Sequence, residues 1–269
     1  MTKKTVVLFS LMAVLFIDGL GQGILFPILD RALLDPLSTE LISHVGLLSR
    51  NVWYGIIIGI FFIFAFFGTA ILGDLSDRLG RKKTLVICLL GSALGFFMSA
   101  SSFYLHSIYL LLLGRVIDGF TAGSQAIANA ATIDVVDESQ KPRYLGYILL
   151  AVSLGIVAGP LLGGFLSDSH LFLWFNDSFP LYVAGGLAVL NVVFLQLCFT
   201  DTRQRDKRQV GVVKAFHVFV EAFRLRSLRV VLCGYFLMQM GVNTYYMFAA
   251  VFLAAKFHMT VSHVSLFVG

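Results

Sequence analysis

Three ionisable side chains lie in stretches of the sequence that are otherwise apolar enough to cross a membrane. They are Asp18 in the first stretch, and Arg115 and Asp118 in the fourth. A charge at the centre of a membrane-spanning helix costs about 3 kcal/mol on insertion scales, so such residues are candidates for function. The chemistry open to them is ion pairing and the binding and release of protons. We predict that these three residues form a proton-coupling site.

The fourth stretch carries further polar residues at helical spacing. Arg115, Asp118, Ala122, Gln125 and Asn129 follow one another at intervals of 3, 4, 3 and 4 residues, which places them on one face of a helix. This stripe would be about 20 Å long and intolerable in lipid, so it should line a water-filled cavity or face another polar helix. As an alternative, the Arg115 and Asp118 side chains can neutralise each other as a structural pair.

Asp18 has one polar companion on its own helix face, Gln22, one turn further on. Two interpretations remain open. The carboxylate either pairs with Arg115 across the cavity and holds the helices together, or it is desolvated enough to bind and release a proton near neutral pH.

A charged stretch, GDLSDRLGRKK at residues 73–83, separates the second and third apolar runs. It contains six of the chain's 35 formally charged side chains, so we expect a tight loop at a membrane face. Its four cations (Arg78, Arg81, Lys82 and Lys83) indicate the cytoplasmic face, because Lys and Arg in short loops set topology.

The composition is that of an integral membrane protein. Hydrophobic residues make up 58% of the chain, charged residues only 13%, and the mean hydropathy is +0.87. The net charge of +5 reflects basic loops on one side of a membrane and does not indicate nucleic-acid binding. The three cysteines lack CxxC spacing and are interpreted as packing residues. With no nucleophile–base pair, metal-ligand cluster or phosphate loop, the sequence predicts neither an enzyme nor a metal or cofactor site.

Seven membrane spans and the beginning of an eighth, near Val261, can be traced. They cover about 5–29, 52–72, 84–103, 108–136, 145–166, 179–199 and 229–255. Counting from a cytoplasmic N-terminus, 16 Lys and Arg residues lie on the inner side and three on the outer side, which supports this orientation. We divide the chain into a six-helix bundle (1–199), a cytoplasmic linker (200–228) and the incomplete start of a second bundle (229–269). The linker is predicted to hold a basic amphipathic helix, or to be a solvated charged segment.

Three motifs carry a family resemblance. The 73–83 stretch, LGRVIDGFTAG at 113–123 and GIVAGPLLGG at 155–164 resemble motifs of the major facilitator superfamily, and of its drug:proton antiporters in particular, the tetracycline efflux transporters among them. The resemblance implies an all-α, polytopic membrane helix bundle, here one six-helix half and the start of the other. It also implies a multi-pass protein of the plasma membrane, most simply the bacterial inner membrane, whose partners are the lipid bilayer, protons, a small-molecule substrate and the absent C-terminal half.

The resemblance assigns roles to residues of this chain. Asp18 is the acid of the first helix and Arg115 the motif arginine of the fourth. The cytoplasmic gate consists of residues from the charged stretch and one acid at the end of the fourth helix, namely Gly73, Asp77, Arg78, Gly80, Arg81 and Asp134. The antiporter motif comprises Gly155, Gly159, Pro160, Gly163 and Gly164, whose small side chains permit close helix approach. Gln22, Gln125, Asn129, Gln239 and Asn243 are candidate cavity or substrate contacts.

Two positions depart from the tetracycline exporters. Gly95 aligns where they carry an acid in the third helix, which argues against tetracycline itself as substrate. Asp118 stands where their motif has a small or uncharged residue, a change that would alter coupling or the charge preference for substrates. We expect proton-coupled efflux of a small amphipathic compound by alternating access. The alternatives are a truncated, non-transporting fragment or half-transporter that needs a partner, and a proton-coupled uptake symporter.

Overall fold

The part of the chain that the structure describes is predominantly helical. This computed structural model describes residues 3–34, 41, 47–167, 172, 174–199 and 224–257, and no β-strand occurs within these ranges. The helices are α1 (Lys3–Leu34), α2 (Leu47–Leu79), α3 (Arg81–Tyr104), α4 (Ile108–Thr121), α5 (Ser124–Val135), α6 (Lys141–Leu166), α7 (Phe179–Cys198) and α8 (Arg226–Phe257). Five of them, α1, α2, α3, α6 and α7, are long and apolar enough to cross a membrane. The predicted all-α membrane bundle is confirmed.

The charged stretch at 73–83 is not the loop that we expected. α2 continues to Leu79 and α3 begins at Arg81, so Gly80 alone separates them. Its φ of 97° lies in a region that favours glycine, which explains a turn made by a single residue. The helices can include these charged residues because the charges are paired at the i, i+4 spacing. Asp74 pairs with Arg78, and Asp77 pairs with Arg81.

The predicted fourth span is two helices, not one. α4 ends at Thr121 and α5 begins at Ser124, with Ala122 and Gly123 between them. Gly and Ser in sequence are a common cause of sharp helix kinks. The break places the Ser124 side chain at the start of α5, where it becomes available to another helix.

α1 packs most extensively against α6, through the glycines of the predicted antiporter motif. A Cβ atom added to Gly159 would lie 2.6 Å from the Cα atom of Gly23, so the two backbones are in direct contact. All five motif residues of α6 are buried. Apolar side chains on the opposite surface of the bundle, such as Leu149 and Leu197, are exposed, as expected of a lipid-facing surface.

The predicted linker and eighth span lie almost wholly outside the described residues. Residues 200–223 and 258–269 belong to neither a described helix nor a described loop. The predicted seventh span, 229–255, corresponds to α8.

Candidate functional site

The Asp18 carboxylate is bonded to a hydroxyl group of another helix. Asp18 lies in the middle of α1, and the Ser124 hydroxyl at the start of α5 donates a hydrogen bond to its Oδ2 atom. Asp118 on α4 is close enough for its charge to act on Asp18. The break between α4 and α5 therefore brings a neutral donor and a second acid to the first-helix acid.

Arg115 forms an ion pair within its own helix. Its Nη1 atom lies 2.7 Å from Oδ2 of Asp118, and both side chains are almost fully buried. The guanidinium also lies over the ring of Phe61 on α2, 4.3 Å from the ring centroid, a cation–π contact. The ion pair between Arg115 and Asp118, which their i, i+3 spacing allowed, is therefore present. Among the described residues Asp18 and Arg115 form no ion pair with each other.

A small cavity adjoins Arg115 between α1, α2 and α4. Its volume of about 20 Å³ is enough for roughly one water molecule. The Nε atom of Arg115 is buried without a hydrogen-bond partner in the structure, so the guanidinium retains donor capacity. The cavity is mostly apolar and is lined by Gln22, Leu25, Phe26, Ile58, Phe61, Phe62 and Arg115.

Gly95 and Asp118, the two departures from the family pattern, are in contact. A Cβ atom added to Gly95 would lie 2.6 Å from Cβ of Asp118 and 2.8 Å from the carbonyl oxygen of Gly114. Real Cβ atoms do not approach so closely, so an acid on α3 at position 95 does not fit beside Asp118. In this chain the membrane-embedded acid near Asp18 belongs to α4.

The other predicted cavity residues are not gathered at this site. Gln125 and Asn129 on α5 are half-buried, and Oδ1 of Asn129 is buried without a hydrogen-bond partner in the structure. Gln239 on α8 is half-buried, and the side chain of Asn243 lies outside the described residues.

Arg81 is the centre of a polar cluster at the ends of α2, α3 and α5. Its Nη2 atom lies 3.0 Å from Oδ1 of Asp77, and its Nε atom lies 3.2 Å from Oδ2 of Asp134. Nη1 donates a third hydrogen bond to the Ser76 hydroxyl at 2.9 Å. A guanidinium can hold several acceptors in fixed geometry, so Arg81 ties the three helix ends together. Arg78 belongs to the same motif but is paired with Asp74 at 2.7 Å instead.

From this cluster we expect Arg81 to contribute more to stability than Arg78, the other arginine of the motif. Replacing Arg81 with Ala should lower the free energy of unfolding by about 1–2 kcal/mol, because three charge-assisted bonds of a buried group are lost. Arg78→Ala is the matched control, since its side chain is 45% exposed against 10% for Arg81, and should cost less than about 1 kcal/mol. Thermal unfolding in detergent compares the variants, and equal losses would contradict the assignment.

Several residues of the site were not foreseen from the sequence. Ser124, Phe61 and Ser76 contact the predicted residues from other positions or helices, and their types are too common to stand out. The Gly123–Ser124 pair was an available signal, since it indicates a kink within the polar fourth span.

Comparison with known proteins agrees with this architecture. The sequence model described as Major Facilitator Superfamily matches residues 11–269. The class B tetracycline resistance protein of Escherichia coli is 26% identical over 233 residues, which cover 85% of this chain and 53% of the relative. The class H tetracycline resistance protein of Pasteurella multocida is 30% identical over 204 residues, which cover 76% and 46%. The chain thus spans about half the length of these relatives.

Solved structures show the same fold at low sequence identity. The human organic anion transporter MFSD10 superposes with a TM-score of 0.73 at 20% identity, covering all of this chain and 70% of the transporter. A D-xylose–proton symporter superposes with a TM-score of 0.64 at 15% identity, covering 97% of this chain and 65% of the symporter.

Proposed function

Because the chain belongs to the major facilitator superfamily, we propose that it acts in proton-coupled efflux of a small amphipathic compound across the bacterial inner membrane. The N-terminus lies in the cytoplasm in this proposal. The observation that carries it is the bond between Asp18 and Ser124: a carboxylate within a membrane span is held by a neutral hydroxyl and not by a cation.

This arrangement suits an exchangeable proton. An acid in a tight ion pair would resist protonation, whereas a carboxylate bonded to a hydroxyl keeps a similar hydrogen bond in both states. The Asp118 carboxylate repels the Asp18 carboxylate to the extent that its ion pair with Arg115 leaves its charge uncompensated, and protonation of Asp18 removes this repulsion. Protonation thereby alters the contact between α1 and the α4–α5 break, which is the kind of local change that biases an alternating-access equilibrium.

The side chains around the cavity beside Arg115 favour an amphipathic substrate, which would enter only when the helices move apart, because the cavity here has room for about one water molecule. Its aromatic and aliphatic walls offer apolar contact, while Gln22 and the unpartnered Nε atom of Arg115 offer hydrogen bonds. Similar proteins are named for resistance to tetracycline, to quinolones and to multiple drugs. We infer that the transported compound is a drug-like molecule of the same broad kind.

The Arg81 cluster serves as a cytoplasmic gate in this proposal. It links three helix ends through bonds that separate when the helices move apart. The gate and the Asp18 site both involve α5, through Asp134 and Ser124, so a movement of α5 would couple them.

Transport driven by an imposed pH gradient tests the proposal. The full chain is reconstituted in proteoliposomes, and the movement of a fluorescent cationic drug is recorded. We expect the drug to move against the direction of proton flow. Movement together with protons would make the chain a symporter, and no movement in either direction would identify a half-transporter that needs a partner.

A further inference from the structure

A second carboxyl group is buried near the outer end of α1 and has no role in the site described above. Both carboxylate oxygens of Asp30 are inaccessible, and neither has a hydrogen-bond partner among the described residues. The Tyr54 hydroxyl on α2 faces this carboxyl group, and the Tyr54 side chain is 2% exposed. Tyr54 belongs to one buried apolar cluster together with Leu29, Leu33 and Ile57.

The cations nearby are engaged elsewhere. Arg31, the next residue, lies 3.3 Å from Asp177, at the turn before α7, and donates to the carbonyl oxygen of Ser167. Arg50 is buried one turn before Tyr54 on α2, but among the described residues it forms no ion pair with Asp30. From α8, the apolar ring of Phe248 packs against Tyr54. None of the described cations pairs with Asp30, so among these residues an ionised Asp30 would be a buried charge without compensation, whereas a neutral carboxyl group fits these surroundings.

Helical register connects Asp30 to the cavity beside Arg115. Asp30 lies one turn beyond Phe26 on α1, and Tyr54 lies one turn before Ile58 on α2. Phe26 and Ile58 both line that cavity. In the other direction along α1, Asp18 lies one turn before the cavity residue Gln22. The two acids stand on opposite sides of the cavity, separated by 12 residues or about 18 Å along α1.

We propose that Asp30, which the Tyr54 hydroxyl faces, is a second proton-binding site that loads protons from the outer side for Asp18. This inference rests on the proposed proton-coupled function. A hydronium ion on the outer side gives its proton to the Asp30 carboxylate and leaves as water. The neutral carboxyl group then releases the proton towards the cavity beside Arg115, and water that enters when this cavity widens during the transport cycle carries the proton to the Asp18 carboxylate. The Tyr54 hydroxyl keeps its own proton throughout.

Infrared difference spectra test the proton-binding step without any transport. Spectra of the full chain in proteoliposomes are recorded between acid and alkaline pH, in the range of the protonated carboxyl C=O stretch. We expect Asp30→Asn to remove one component of this band and Asp18→Asn to remove another. Tyr54→Phe should shift the frequency of the Asp30 component, and Glu138→Gln, an exposed acid, serves as the control. An unchanged band in Asp30→Asn would overturn the proposal, as would a band that responds to sodium ions and not to pH.

The pH profile of transport tests the loading role. Because loading depends on proton capture, Asp30→Asn should slow pH-driven transport about tenfold at alkaline outer pH. The transport rate of this variant should recover as the outer solution is made acid. A purely structural role for Asp30 would leave a defect that acid does not relieve, and this result would overturn the proposal. The two proposals fail separately: if Asp18→Asn retains coupled transport, the proposed function fails, whereas loss of the Asp30 band or of acid rescue concerns only the outer site.

Discussion

Replacing Asp18 with Asn is expected to abolish proton release when substrate binds. Asparagine keeps the size of the side chain and an oxygen that accepts from Ser124, but it cannot ionise. The packing of α1 should therefore survive while the exchangeable proton is lost. The measurement is the pH change of a weakly buffered solution of the purified chain on addition of a panel of cationic and neutral drugs.

Two further variants serve as comparisons for Asp18→Asn. Glu138→Gln removes an acid whose side chain is 88% exposed and should release protons like the unaltered chain. Ser124→Ala keeps the acid but removes its hydrogen-bond donor, so we expect release with an altered pH dependence. Full proton release from folded, helical Asp18→Asn would contradict the assignment and leave Asp118 as the alternative acid.

Replacing Gly159 with Ala is expected to separate α1 from α6. The added Cβ atom would lie 2.6 Å from Cα of Gly23 and 2.6 Å from the carbonyl oxygen of Leu20. Both are backbone atoms, so neither can rotate away, and one helix must move. Overpacking of this kind costs about 1–3 kcal/mol. We expect a lower Tm in detergent and weaker proton release, because α1 also carries Asp18.

The same helix provides the matched control. A Cβ atom added to Gly146 meets nothing within 4 Å. Gly146→Ala should therefore be neutral or should stabilise α6 by about 0.5–1 kcal/mol, because Gly is a poor helix former. Equal effects of the two substitutions would show that the close contact between α1 and α6 does not limit stability.

Local spacing explains which parts of the candidate site could be predicted. Arg115 with Asp118 and Asp77 with Arg81 lie three or four residues apart, and a helix places such residues side by side whatever surrounds it. The bond from Arg81 to Asp134 joins residues 53 positions apart and followed from the family resemblance. The pairing of Asp18 with Arg115, one of the two interpretations left open by the sequence, had neither basis, and it does not occur among the described residues.

Composition and spacing are enough to establish that this protein is a bundle of membrane-spanning helices with acids inside its spans. Hydropathy and helical spacing depend only on residues that are close together in the sequence, so both can be evaluated without knowledge of the fold. Three features required the folded structure: Gly80 alone turns the chain, Ser124 bonds to Asp18, and Tyr54 faces Asp30. These contacts depend on single backbone angles and on which helices pack together. Moving a helix break by one residue along the chain turns the following side chains by about 100° about the helix axis. The local sequence pattern does not specify which neighbouring helix those side chains then contact.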